Sequence, residues 1–574
     1  MPGLEATQKT IKQLLGDSKA DFLVPEYQRQ YAWEKKECQT LWDDLLEFAF
    51  PQGENFNSKT SEYFLGSIVT FHNDNDQHEI IDGQQRLTTL MLLLRAIYTR
   101  YGTHDSQAAP LSKDIESCIW KSDELGNVDK NSCKLETLVA TDELKEEFKE
   151  ILRTGEAPDD KKSLYAENYR FFLKEIDDFL QKNAGSFAYL PARILKNCIL
   201  LTVDSYSSDS AMRIFSTLND RGRPLSDSDI FKAQLYKYYD SLGRKEEFLE
   251  KWKDLEDLSA RVYTPLYGTP MDEAFTRYMY YERAKLSIRG AQMEALLKFY
   301  ARNSYALLKK EKTFDNIIDL AKFWHSVVRQ DSEIFSERIL RRLFVLKYAP
   351  NETWTNIVSV YYLANRDSEG KLDEEKFFAF LNKITAFIWG YTFITPGVNA
   401  LKGPISDYMI NIVKGVEAGF DKYKFDSAIL ETAINNYSFT NMRPITKSML
   451  AWWALNYSGQ ASLDINKPFQ IEHIYAKKRQ EFEKGLSNPK NLESLGNKSL
   501  LEDGINIRAS DYHFADKRKY YTGQAGRKKQ PTQIKELLDL SKTHTDFGES
   551  DIVQRKALMI QKFLEYLKNN DLIK

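Results

Sequence analysis

The sequence predicts an α+β protein in which helix predominates. Three observations lead there. Apolar residues recur at helical spacing through most of residues 240–430. Short β-type runs fall at 22–24, 63–71, 78–82 and 199–203, with one more ahead of Glu472. Hydrophobic residues make up 42% and aromatics 13% of 574 residues, enough for the cores of two to four domains, or of one large domain with insertions.

Taken in order, residues 1–20 suggest a short amphipathic helix with Leu4, Ile11, Leu14 and Leu15 as its apolar positions. Phe22 to Val24 suggest a strand ended by Pro25. Tyr27, Gln28 and Arg29 then project aromatic, amide and guanidinium groups from a turn. A helix from Glu34 to Phe48 places Cys38, Leu41, Trp42, Leu45 and Leu46 on one face. Residues 51–61 form a polar loop. Strands at Tyr63–Phe71 and His78–Asp82 follow, and the second runs straight into Gly83-Gln84-Gln85-Arg86. Leu87, Leu90, Met91, Leu94 and Ile97 then mark a helix over 84–98.

That strand–DGQQR–helix junction carries chemistry. A helix N-terminus offers free N–H groups and partial positive charge, which favour phosphate. Gly83 permits close backbone approach. Arg86 can grip phosphate oxygens in a bidentate way, and Asp82 can hold a cation or position water.

Residues 100–162 are polar and acidic and suggest loops and short helices. Helix resumes at 163–183, and a strand at 199–203 precedes a helical corner, Ile214 to Lys232. There an Asn-Asp-Arg-Gly turn leads into a helix capped at Ser226 or Ser228, with Asn219, Arg221 and Asp229 as polar candidates. Residues 240–430 suggest a helical spacer, and 441–457 a helix leading into the last segment. Helices at 532–540 and 551–569 close the chain. The expected domains are therefore 1–240, 241–430 and 431–574.

No apolar run in the sequence approaches the roughly 20 residues that span a bilayer, and no secretory signal pattern opens the chain. Cys38, Cys118, Cys133 and Cys198 form no C-x-x-C pair, which argues against a disulfide framework or zinc knuckles and for a reducing cytoplasm. The net charge of −3 hides an asymmetry. Residues 431–574 carry 23 Lys and Arg against 17 Asp and Glu, a net of +6, and the rest carries −9. Lys517-Arg518-Lys519 and Arg527-Lys528-Lys529 are the densest basic clusters, of a kind that binds phosphate backbones without reading sequence.

The basic end holds a second chemical stretch, Phe469 to Tyr521. Glu472 and His473 are adjacent, Asn497 sits in Leu-Gly-Asn-Lys-Ser-Leu-Leu, and Asn506 and Lys517 follow. Phosphodiester hydrolysis needs a base for water and a hydrated divalent cation for the charge on phosphorus. A carboxylate and an amide oxygen suit magnesium or manganese. A neutral imidazole suits the base.

The pattern E-H-I, L-G-N-x-x-L-L, N, K-x-x-Y resembles the HNH (His-Me finger, ββα-metal) nuclease module, and more narrowly that of the GmrSD-type, modification-dependent restriction enzymes. The resemblance implies that Glu472 and Asn506 hold Mg²⁺ or Mn²⁺ and His473 activates water. It further implies that Asn497 braces the loop orienting His473 and that Lys517 reaches a phosphate. It departs at Ala476, where such modules often carry proline.

The N-terminal motifs P-E-Y-Q-R-x-Y-x-W, Y-F-L-G-S-I and I-I-D-G-Q-Q-R-L-T-T-L, with the later I-F-x-x-L-N-D-R-G-x-P-L-S-x-x-D-I-x-K, resemble the GmrS-like domain of the same family. That domain is similar to the ParB/sulfiredoxin fold. The resemblance implies a nucleoside triphosphate (GTP, UTP or similar) at Asp82, Gly83, Gln84, Gln85 and Arg86, with Tyr27, Gln28 and Arg29 in the same or a neighbouring pocket. No G-x-x-x-x-G-K-[ST] loop is present, so any NTPase here is not of the P-loop class. The implied protein is a cytoplasmic, nucleotide-regulated endonuclease acting on modified double-stranded phage DNA, with homo-oligomerisation left open. Two alternatives stand beside it: a weakly cutting nucleotide sensor that binds DNA or a partner, and an HNH nuclease acting on RNA.

Overall fold

The computed structural model describes residues 5–50, 61–73, 75–101, 109–123, 125–139, 142–183, 189–205, 226–265, 268–289, 295–350, 353–397, 399–416, 419–464, 467–483, 485–510, 512–525 and 530–574. The chain divides into two compact units, Met1–Lys245 and Glu246–Lys574.

The first unit is built on a six-stranded mixed sheet. Its strands are β1 (Glu5–Thr10), β2 (Phe22–Val24), β3 (Tyr63–His72), β4 (His78–Asp82), β7 (Leu135–Thr137) and β8 (Cys198–Ser205), while β5 (Trp120–Ser122) and β6 (Val128–Cys133) form a separate antiparallel ribbon. The order across the sheet is β1-β8-β3-β4-β2-β7. β1–β8 and β3–β4 pair antiparallel; β3–β8, β2–β4 and β2–β7 pair parallel.

One face packs on the helix Gln84–Tyr101, whose Leu87, Leu90, Met91, Leu94 and Ile97 are wholly buried. Leu92 and Leu93 are buried too, because helices Ala109–Ile119, Asp142–Thr154 and Leu164–Asn183 also pack on this helix. Each such side chain contributes roughly 1.5–3 kcal/mol of transfer free energy. On the other face Tyr27, Val69, Ile81 and Val203 meet Ala233 of the helix Asp227–Ser241. That helix begins at a capping box in which Ser226 and Asp229 each accept the other's backbone N–H.

Two elements differ from the sequence reading. Residues 5–10 form an edge strand, and only Ile11–Leu15 is helical, opened by a capping box between Thr10 and Gln13. Pairing with β8, about 190 residues on, decides this, and a polar edge strand leaves no periodic trace. The polar 100–162 stretch also contributes structure: β7 extends the main sheet beside β2. Leu4, most of the 51–61 loop, Asn219, Arg221 and Arg527-Lys528-Lys529 lie outside the described residues.

In the second unit the helices of 246–430 pack with those of 431–574 rather than forming a separate spacer. Trp389 Nε1 donates to Ser448 Oγ at 3.1 Å, and Ser448 Oγ donates to the Val345 carbonyl at 3.0 Å. Tyr566 donates to Asn382 Oδ1 at 2.8 Å. The helix Glu374–Ile394 is long and apolar enough to cross a membrane by length and composition, contrary to the reading of the sequence. Here Phe377, Leu381, Ile384, Phe387, Ile388 and Trp389 are buried within the unit.

β9 (Phe469–His473) and β10 (Lys498–Glu502) make an antiparallel pair, with His473 opposite Lys498 and Glu472 opposite Ser499. The helix Asp503–Ala509 follows at once and packs on both strands. Phe344 of the helix Glu337–Lys347 meets Phe469 edge-on at 5.7 Å.

Candidate functional site

The strand alternation of β9 sends Glu472 and His473 to opposite sides, and each has its own set of partners. Glu472 is 4% exposed. Its Oε1 accepts from Lys517 Nζ at 2.8 Å and from the Tyr521 hydroxyl, both on the helix Phe514–Tyr521. Burial raises the Glu472 pKa, with Lys517 and Tyr521 opposing. The His473 backbone N–H also donates to this carboxyl.

His473 Nε2 lies 3.3 Å from Glu493 Oε1 and 2.9 Å from Lys498 Nζ. Lys498 Nζ also reaches Asn441 Oδ1 and Glu493 Oε2, both at 2.7 Å. Burial lowers the His473 pKa, while Glu493 works the other way. Burial brings Lys498 down to about 8. Burial alone would raise Glu493, but the bonds from His473 and Lys498 hold its carboxyl well below the usual range. Nε2 of the imidazole thus stands between the Lys498 amine and the Glu493 carboxyl.

Asn497 is fully buried and spans the loop after His473. Its Oδ1 accepts from the Tyr475 N–H at 2.7 Å, and its Nδ2 donates to the Tyr475 and Leu492 carbonyls at 3.1 and 3.0 Å. Its own carbonyl accepts from Ile474 N–H at 2.9 Å. Asn506 is half-buried on the helix beside β10, and among the described residues its side chain makes no hydrogen bond to Glu472 or His473.

Lys517, expected from the resemblance to reach a phosphate, is 1% exposed, pairs with Glu472 and donates to the His473 carbonyl at 2.5 Å. The basic cluster around it is also not a free face: Arg518 donates to the His544 carbonyl at 3.0 Å and Lys519 pairs with Asp516 at 2.8 Å. Glu493, Lys498 and Tyr521 were missed by the sequence reading. Glu493 stands four residues before Asn497 and Lys498 one after it, so nearness to the L-G-N motif was the available signal.

In the first unit the two motif stretches are stapled together. Gln28 Nε2 donates to the Ile81 carbonyl at 3.0 Å, Gln84 Nε2 to the Arg29 carbonyl at 3.0 Å and Gln85 Nε2 to the Gln30 carbonyl at 3.1 Å. Gln85 Oε1 accepts from Ala32 N–H at 2.7 Å. Tyr27 is buried and donates to Glu79 Oε1 at 2.5 Å. All four side chains, expected at the nucleotide site, thus bond within the unit itself.

Asp82, Gly83, Arg86 and Arg29 form the charged part of the junction. Burial raises the Asp82 pKa, with the Arg86 and Arg29 charges and the Gly83 N–H opposing. Arg86 Nη1 donates to the Ser67 carbonyl at 2.6 Å. Gly66 makes room for it: a Cβ there would lie 2.7 Å from the guanidinium carbon. Gly83 has φ +94°, a conformation that disfavours any side chain.

The two units thus present an arginine–carboxylate turn at a helix start and a buried glutamate–histidine pair on a hairpin. The same two stretches fall within two family matches. Residues 11–236 match the model for the GmrSD restriction endonuclease N-terminal domain, and residues 420–562 match that for the GmrSD restriction endonucleases C-terminal domain. The matches define a restriction nuclease, a hydrolase whose partner is DNA. The chain belongs to the GmrSD restriction endonucleases and carries both of their domains in one polypeptide. No match was found among curated proteins.

Proposed function

We propose that the chain is a metal-dependent HNH-type DNA endonuclease, regulated by a nucleoside triphosphate at its first unit, that restricts modified foreign DNA. The braced Glu472–His473 pair carries this reading. His473 is fixed at the end of β9, its pKa is lowered by burial, and in the tautomer this reading requires its Nε2–H donates to Glu493 Oε1 at 3.3 Å. Nδ1 is the nitrogen left to take a proton from water.

The donor set suits a hard divalent cation. Lys517 and Tyr521 both engage Oε1 of Glu472, and in this reading Oε2 would serve as a ligand with the Asn506 amide oxygen of the adjoining helix. Such a cation stabilises charge on the phosphate being cut. Lys517 positions Glu472 and the His473 carbonyl rather than touching substrate. The net +6 of residues 431–574 favours a polyanion.

In the first unit, Arg86, Arg29 and the N–H groups that open the helix Gln84–Tyr101 would hold the triphosphate, with Asp82 facing its cation. The ββα order of β9, β10 and the helix after them supports the HNH reading, and the mixed sheet around Asp82 supports the ParB-like one.

The test is cleavage of modified and unmodified DNA, with RNA as control, in magnesium and each NTP. His473→Ala should keep DNA binding and lose about 10²–10⁴-fold in cleavage. Near-normal nicking by that variant would sink the assignment. Binding without any metal-dependent nicking by the native chain would favour the non-cutting sensor.

A further inference from the structure

His72, His78 and Asp204 meet on one face of the first unit's sheet. His72 and His78 are directly opposed in the β3–β4 pair, and Asp204 of β8 lies opposite Thr70 of β3. Residues 70 and 72 share a face by strand alternation, so the three side chains converge from three adjacent strands. Each offers one donor atom, and the three atoms lie within 4.8 Å of one another. The two rings are 4.3 Å apart between centroids.

His78 and Asp204 stand at ion-pair distance, and His78 helps hold the Asp204 carboxyl down. His78 Nδ1 is buried and makes no hydrogen bond; Asp204 Oδ1 is 3.4 Å away, outside hydrogen-bond geometry. Thr70 donates to the same carboxylate oxygen. A cavity of about 40 Å³ adjoins the cluster, lined in part by His78, Asp204, Thr70 and Thr202. Lys9 and Lys19 also line it, so attraction for a cation would come from direct ligation rather than from a net negative field. On the solvent side, the exposed Asp76 carboxylate lies 3.5 Å from His72 Nδ1.

We propose that His72, His78 and Asp204 form a binding site for a borderline divalent transition cation of the zinc class. Two imidazoles and one carboxylate are a donor set that zinc takes, with water or Asp76 as a fourth ligand. Donors on one tetrahedral zinc lie roughly 3.3 Å apart. Closing from 4.8 Å would fall chiefly to the exposed His72, which would turn from its contact with Asp76. Hard cations such as magnesium prefer all-oxygen sets, so this site would not compete for the nuclease metal. The cation would clip the turn end of the β3–β4 hairpin, whose other end carries Asp82. It would also tie β8 to that hairpin.

The test is titration of zinc into the full-length protein by calorimetry, followed by cobalt loading read by its visible absorption. His72→Ala removes an exposed side chain and should fold normally; Asp204→Asn removes the carboxylate charge. His473→Ala excludes the nuclease site as the source of the signal. The expected result is one zinc-binding component that His473→Ala retains and that His72→Ala weakens at least tenfold, with Asp204→Asn agreeing if it folds. The cobalt spectrum of the native protein should show nitrogen–oxygen ligation that His72→Ala lacks. The proposal is overturned if the native protein binds no zinc in a component that His473→Ala retains, or if His72→Ala binds it as tightly as the native chain.

Discussion

At the scale of single residues, the Nε2 atom of His473 faces two groups with opposite demands. Glu493 at 3.3 Å accepts a hydrogen bond from it; Lys498 at 2.9 Å, when charged, donates one to it. Only the first arrangement frees Nδ1 to act as a base, so Glu493 sets the productive tautomer. Burial lowers the His473 pKa and Glu493 raises it. The base form is therefore already present at neutral pH, and cleavage should fall only as pH drops through a value below 6.5. In Glu493→Gln the raising influence is gone, so that acid limb should move to lower pH. The plateau rate should also fall, by up to about 10²-fold, because the ring loses its orientation. A pH–rate profile of Glu493→Gln identical to that of the native protein would show that Glu493 is only a surface partner of Lys498.

At the scale of elements, the L-G-N motif shows what sequence conveys and what it hides. The family resemblance implied Asn497 as a brace, and its side chain bonds to Tyr475 and Leu492 in the loop after His473. The reason for Gly496 was not legible. A Cβ there would lie 2.1 Å from the Ile552 carbonyl of the helix Glu549–Asn569, more than fifty residues on. From the same helix Arg555 donates to the Gly496 and Lys498 carbonyls at 2.9 and 2.7 Å and pairs with buried Glu536 at 2.8 Å. The last long helix thus clamps the strap that holds the site. Gly496→Ala should destabilise the second unit by about 1–3 kcal/mol through overpacking against backbone. It should cut nicking while leaving nucleotide binding intact. An unchanged melting temperature would refute the close approach. The same contrast runs through the first unit. β4 and the helix after it follow from apolar period, whereas β1 and β7 depend on distant partners. Gln28, Gln84 and Gln85 also staple two motif stretches whose contact no local pattern reveals.

At the scale of the whole molecule, the question is whether the two sites act on each other. A restriction nuclease that cut regardless of its first unit would endanger its own genome. Coupling requires a ligand with different affinity for two conformations of the chain. The candidates are a nucleotide at Asp82–Arg86 and modified DNA near Arg29. The helices of 246–430 share one compact unit with the Glu472–His473 hairpin, through contacts such as Phe344 on Phe469 and Trp389 on Ser448. A shift in those helices would therefore bear on the site directly. This also sets the fragment to compare: it should begin at Glu246, since one begun near residue 430 would strip the hairpin of its support. We expect nicking by the intact protein to change severalfold with NTP and with DNA modification, and nicking by the Glu246–Lys574 fragment to respond to neither. Arg86→Ala in the intact chain should abolish the nucleotide response and weaken nucleotide binding in calorimetry, with the second unit's melting unchanged. The sign of the response is set by which conformation binds nucleotide more tightly. If the intact protein nicks at one rate with and without NTP, on modified and unmodified DNA alike, and Arg86→Ala matches it, the two units are tethered but uncoupled.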